Sequence, residues 1–216
     1  MSATPFVSES PRAWAAGDWL AGGVLDPLGE INGQCVELLC GMAERDPAAL
    51  PILREHRPLW RALSEEGRRR LADCPFLLVD AGFSDEARWR RLQQRGVNDQ
   101  SRELRAGCFA DERGAGFSRR VLMYGWHLAR AHRSVARIVL GMSPACLDRI
   151  AALSLRDLEA VCEQQPGWVR PRWEAQPVVW RQMLVAALNA DALAMQQASL
   201  RGIQLLAAGA IGLPLR

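Results

Sequence analysis

Residues 121–142 read VLMYGWHLARAHRSVARIVLGM, and their spacing decides the fold class. Val121, Gly125, Leu128, His132, Val135, Val139 and Met142 recur at alternating steps of four and three, which keeps them on one face of an α-helix. The pattern predicts one long helix with a buried seam, and it sets the expectation of an all-α multi-helix bundle for the whole chain.

Downstream, Ser143-Pro144 is a helix start, with a capping hydroxyl followed by proline at the first helical position. The helix it opens, Pro144 to Ala152, is short, because Ser154 with Asp157 three residues later forms a variant capping box for a second helix, Leu155 to Gln164. Leu153 before that cap is placed to staple onto Leu158, and Leu155, Leu158, Val161 and Cys162 are expected to face inward. The two short helices form a helical hairpin of helix-turn-helix type in the C-terminal half. Trp168, Pro171, Trp173 and Pro177 then mark an aromatic, proline-rich turn, and a last long helix is expected from about Val178 to Ala208.

Upstream, Asp26-Pro27 starts a helix with Ile31, Cys35, Leu38, Leu39 and Met42 on one face. Pro47, Pro51 and Pro58 cut the following stretch into short pieces, and Ser64 caps a helix from Glu65 to Ala72. Phe76-Leu77-Leu78-Val79 is a short apolar run for which helix is preferred over buried strand, though period does not separate the two at this length. Ser84 with Asp85 and Glu86 opens another helix that turns Trp89 and Leu92 inward. The organisation expected is an irregular arm at 1–25 carrying Trp14 and Trp19, a helical subdomain at 26–96, a connecting loop at 97–116 and a second helical subdomain at 117–216.

The chain has 216 residues, 49% of them hydrophobic and 24% charged, the composition of a folded globular protein. Its 27 basic residues are all arginine, but 24 acids leave a net charge of only +3, so no polybasic surface for nucleic acid or anionic lipid is implied. Six scattered cysteines without a Cys-x-x-Cys pair, and an N-terminal stretch without a continuous apolar run, lead to the expectation of a cytoplasmic protein. The uncharged stretch Leu205 to Leu213 is too short to span a bilayer, so no membrane partner is expected. His56, His127 and His132 offer no metal geometry, since the last two, five apart on a helix, point to different faces. No nucleophile elbow, phosphate loop, zinc-protease or dinucleotide motif occurs, so neither a catalytic residue nor a cofactor is assigned.

Eight tryptophans stand against one tyrosine. Each indole buries much area but wants a partner for its N–H. Trp168, Arg170, Arg172, Trp173 and Trp180 are therefore the candidate partner-binding rim. Arg130, Arg133 and Arg137 share a face of the predicted long helix and are the candidate nucleic-acid contacts. Acids such as Asp157, Glu159 and Glu163 on the hairpin's second helix oppose direct DNA binding.

The stretch from His127 to Trp173, with Leu128, Ala129, Ser134 and Ala136, the turn Leu140-Gly141-Met142, then Ala151-Ala152-Leu153-Ser154-Leu155, Leu158 and Glu163, resembles the D subunit of the bacterial flagellar master transcription regulator. The Arg-x-Arg-Trp element at Arg170 to Trp173 is similar to that family's Arg-Phe position. The N-terminal half, including PFLLVDAGF at Pro75 to Phe83, resembles uncharacterised proteobacterial proteins. The resemblance implies an all-helical homodimer that works with a second protein subunit and leaves most DNA contact to that partner. The function expected is thus a non-enzymatic regulatory or adaptor protein acting through protein contacts, in transcriptional control. The alternative is a small-molecule-binding protein or enzyme whose pocket lies between the two halves, lined by Trp60, Trp89 and Trp126.

Overall fold

The computed structural model describes residues 23–95, 108–109, 111–164 and 167–210. Trp14 and Trp19, and most of the connecting loop, fall outside them. The structure is 73% helical with almost no strand, as the spacing of the apolar side chains predicts.

Helix α1 (Asp26–Arg45) comes after a left-handed turn at Gly23, with Asp26 inside the first turn rather than capping it. It buries Leu28, Ile31, Cys35, Val36, Leu39 and Ala43, and among them the polar Asn32. Prolines segment the next stretch into α2 (Pro51–Glu55) and α3 (Arg57–Ala62). Helix α4 (Glu65–Ala72) starts as expected, with the Ser64 hydroxyl accepting from Gly67 N at 3.1 Å.

The run Phe76 to Val79 is not helical: Phe76 to Leu78 are bent and irregular, and Val79 enters a short strand. Asn32 explains why: its Nδ2 donates to Phe76 O at 2.9 Å and, more distantly, to Ala72 O and Cys74 O at 3.3 Å, while its Oδ1 accepts from Leu78 N at 2.9 Å. One buried side-chain amide thus satisfies backbone groups that would otherwise be orphaned in the core. Strand β1 (Val79–Asp80) pairs antiparallel with β2 (Arg170–Pro171), Val79 opposite Pro171 and Asp80 opposite Arg170. A partner so distant in sequence leaves no local signal.

Helix α5 (Glu86–Arg95) is started by Asp85, whose carboxylate accepts from Arg88 N at 2.9 Å, and it turns Trp89 into the core. Asp111 caps α6 (Glu112–Ala131) through Gly114 N at 2.7 Å, so the loop expected to reach residue 116 ends five residues earlier. The predicted long helix breaks at His132, which leaves helical geometry and separates α6 from α7 (Arg133–Val139). The seam survives the break, because Val121, Leu128, Val135, Val139 and Met142 are all buried. Burial period records which side faces the core, not whether the axis runs straight. The break also brings the His127 and His132 rings to 5.8 Å, where a continuous helix would have turned them apart.

Helices α8 (Pro144–Ala151) and α9 (Leu155–Gln164) lie close to their expected spans, and both pack on α6. Ser143 Oγ accepts from Cys146 N at 3.2 Å, and the capping box closes, with Ser154 Oγ accepting from Asp157 N at 3.2 Å and the Asp157 carboxylate accepting from Ser154 N at 3.1 Å. Leu158 and Val161 are buried, but Leu155 is 47% exposed, a correction explained by its place at the very start of the helix, away from the face that packs on α6. The last long helix is likewise two: α10 (Pro177–Leu188) and α11 (Ala192–Ala210), interrupted at Ala190, which has positive φ, with Asp191 recapping α11 through Ala194 N at 2.9 Å. A single hydrophobic cluster includes residues on both sides of the 97–111 stretch, from Leu28 to Leu206, so the N- and C-terminal subdomains share one core.

Candidate protein-interaction surfaces

The tryptophan-rich turn, expected as a rim, is largely a buttress. Trp180 is fully buried, its Nε1 donating to Arg172 O at 2.6 Å and its ring 5.4 Å from Trp60. Trp168 is buried edge-on against Trp89 at 4.8 Å, with the Arg88 guanidinium stacked over it at 4.3 Å. Arg172 is buried and ties three segments, its Nε donating to Leu77 O at 2.6 Å and its Nη2 to Leu140 O at 2.7 Å, with Asp80 at 3.6 Å. Burial pulls its pKa below the ordinary arginine value, and the Asp80 carboxylate opposes that shift. Trp173, in the left-handed region, sets its ring edge-on to Phe76 at 5.5 Å and is only partly covered; Arg170, half-buried, pairs with Glu174 at 2.7 Å. Trp168, Arg172 and Trp180 are therefore core residues, and of the five only Arg170 and Trp173 reach the surface. The Trp180 indole and the Arg172 guanidinium find carbonyl partners inside the fold, so burial leaves those two groups hydrogen-bonded.

The arginine trio does not share one helix face. Arg130 ends α6, with its guanidinium 4.8 Å above the Trp126 ring, whereas Arg133 and Arg137 lie beyond the break on α7, Arg133 paired with Asp148. The exposed side of α9 includes Arg156 and Glu163, and near it Glu159 pairs with Arg119 at 2.7 Å; acids on this side would repel a phosphate backbone.

The pocket expected around Trp60, Trp89 and Trp126 is not a common cavity. Trp60 and Trp89 are sealed in the core, their Nε1 atoms donating to Ile52 O at 3.0 Å and Gly82 O at 2.8 Å. Trp126 alone reaches open space, in a groove of about 770 Å³ between α1 and α6. Pro27, Glu30, Ile31 and Gln34 form one wall, and Arg119, Arg120, Met123, Tyr124, Trp126 and His127 the other. Ile31 and Tyr124 make its buried floor; the Tyr124 hydroxyl donates to Val24 O at 3.2 Å, and burial pushes its pKa up to about 12. Trp126 is half-buried, its Nε1 donating to Leu153 O at 3.0 Å.

A second unusual surface is α11. Of its 19 residues only Ala198, Gly202 and Leu206 are buried. Gly202 lets it approach closely: a β-carbon there would lie 2.4 Å from the Phe76 ring. Outward, Leu193 is 63% and Leu200 54% exposed, seven residues apart, with Ala207 exposed another seven on. Arg201 is the one charged residue in the helix, and it donates to Gln182 at 3.3 Å.

No protein-family model, curated protein or solved structure matches this chain. Among the described residues no group of three or more His, Cys, Asp or Glu side chains is placed to hold a metal ion, and no helix is long and apolar enough to cross a membrane.

The signals for both surfaces lie in the sequence, but beside the stripes that the core uses. On α6, positions 119, 120, 123, 126, 127 and 130 form a second stripe at helical spacing, opposite the buried seam. That α1 supplies the facing wall is a tertiary fact without local signature.

Proposed function

We propose that this protein is a non-enzymatic helical adaptor that works through protein–protein contacts and homodimerises through α11. The observation that carries the reading is the outer face of that helix: two large leucines mostly in water at heptad spacing, on an element with a single charge. Heptad spacing is what a helix–helix seam requires, and solvated polar helices normally carry charge there instead.

The magnitudes decide what such a dimer needs. Completing the burial of a half-exposed leucine is worth roughly 1 to 1.5 kcal/mol, so four leucines across a two-fold contact contribute about 4 to 6 kcal/mol. Association costs at least about 4 kcal/mol. The leucines alone leave little surplus, and partly covered Ile203, three residues from Leu200 on the same side of the helix, must join the seam for a micromolar dimer. The resemblance of His127 to Trp173 to the flagellar regulator subunit makes transcriptional control the proposed context, with a second protein subunit as partner. The proposed setting is the cytoplasm, where a reducing environment suits six free thiols.

Size-exclusion chromatography with light scattering tests the reading. The chain should elute at twice its 23.9 kDa mass at micromolar concentration, and Leu193→Glu/Leu200→Glu should elute at 23.9 kDa with unchanged helicity. A wild-type chain that is strictly monomeric at that concentration removes the dimer from the proposal.

A further inference from the structure

The groove between α1 and α6 presents apolar surface beside an α6 wall with charge of one sign. From Arg113 to Ala131, α6 carries Arg113, Arg119, Arg120, Arg130 and His127 and no acidic residue. All five lie on its exposed side. Arg120 makes no ion pair among the described residues, and Arg130 is held over Trp126 at one end of the groove. Glu159, on α9, is the acid paired with Arg119, an exposed contact of the kind that exchanges at little cost. On the α1 wall the charged group is Glu30, next to the neutral Gln34. Between the walls, Ile31, Met123, Tyr124 and Trp126 form an apolar strip.

The dimensions match a helix. The lining runs over Pro27–Gln34 on α1 and Arg119–His127 on α6, so at 1.5 Å per residue each wall is roughly 12 to 14 Å long, a little over two turns of a third helix. A groove open along one side buries the apolar stripe of such a helix while its flanks stay wet, whereas a small molecule would need a more enclosed site.

We infer that this groove is a docking site for an acidic amphipathic helix of a partner protein, with apolar anchors at i, i+3 or i+4 and i+7 on the strip and carboxylates on the flank that faces Arg119, Arg120 and Arg130. The inference rests on the adaptor reading in taking the ligand to be a protein segment, but it uses a face other than α11, so the two can fail separately.

The probe is a synthetic peptide of roughly 18 residues, long enough to span the groove, with leucine at the anchor spacing, glutamate on one flank and a rhodamine label. A control peptide carries lysine for each glutamate. Fluorescence anisotropy against the full chain should show saturable binding of the acidic peptide, weakened several-fold as salt rises from about 50 to about 300 mM, with the lysine peptide bound at least about tenfold more weakly. Arg120→Glu, which breaks no ion pair among the described residues, should weaken the acidic peptide about tenfold and Arg119→Glu/Arg120→Glu further, while Leu193→Glu/Leu200→Glu leaves binding unchanged. Circular dichroism confirms that each variant is folded. Equal binding of the two peptides, binding of neither, or an Arg120→Glu variant that binds the acidic peptide like wild type overturns the inference. So does an Arg120→Glu variant that converts a dimer to a monomer, which would make the occupant a second copy of this chain.

Discussion

Replacing Asn32 by alanine tests the arrangement that holds the centre of the fold. Two of its hydrogen bonds are well formed, to Phe76 O and from Leu78 N, both at 2.9 Å and both buried. Alanine leaves that carbonyl and that N–H without partners, where no water reaches, and an orphaned buried group costs about 1 to 3 kcal/mol. The sum is about 2 to 6 kcal/mol, a large part of the stability of an ordinary domain. For a chain of this size each kcal/mol lowers Tm by roughly 2 to 4 °C, so a drop of about 4 to 24 °C is expected in thermal denaturation monitored by far-ultraviolet circular dichroism. Asn32→Asp adds a test of sign. The new carboxyl keeps an acceptor for Leu78 N but turns its second oxygen toward three carbonyls, so its folded pKa is raised above the ordinary value near about 4. Stability is then greatest when that carboxyl is protonated and is lost as pH rises through the folded pKa, and the deficit relative to wild type should shrink between about pH 7 and about pH 5. A fall in Tm below about 3 °C for Asn32→Ala, or an Asn32→Asp deficit that does not change with pH, would show that the amide does not hold this segment in place.

The packing dictates two further outcomes. Gly202→Ala should destabilise the chain by about 1 to 3 kcal/mol in urea denaturation, because the added β-carbon meets the buried Phe76 ring, and this outweighs the gain of about 1 kcal/mol that alanine brings to a helix; an unchanged or higher midpoint refutes the close approach. Burial pushes Cys74 and Cys108 up to about 12 and Cys40 and Cys162 up to about 11, whereas an unfolded thiol titrates near about 8.5, so stability should be flat below that pH and fall as pH rises toward the folded values, by about 1.4 kcal/mol per pH unit for each thiol proton retained; equal urea midpoints at about pH 8 and about pH 10 would contradict it.

Where the sequence contains a local device, it is legible. Ser64, Ser143 and the Ser154–Asp157 box start helices where their side chains bond the first-turn amides, and such bonds depend on residues only three apart. What escapes is set by partners far along the chain. Phe76 to Val79 reads as helix in preference to strand until Asn32 and Arg172 are known to meet it, and both contacts are decided by tertiary packing. The axis break at His132 is invisible because the seam of buried residues continues through it. Trp180, which reads as rim, becomes core with its N–H on Arg172 O, and Trp60 and Trp89, which read as pocket lining, are sealed with theirs on Ile52 O and Gly82 O, which composition does not foretell. Of the surfaces, the arginines of α6 and the last helix with its single charge are readable, but which neighbours leave them uncovered is not.

The pairing of Asp80 with Arg170 spans ninety residues, the difference of the two positions, and it carries a consequence for the order of events during synthesis. A ribosome adding roughly 5 to 20 residues per second delivers the second strand and Arg172 about 5 to 18 s after the first strand has emerged. For that interval the nascent chain holds Phe76-Leu77-Leu78-Val79 as an apolar segment with an open backbone edge, the kind of surface that general chaperones bind and that pairs between chains when left bare. Cellular yield of this protein should therefore depend on how fast codons between those two points are read as well as on the stability of the finished fold.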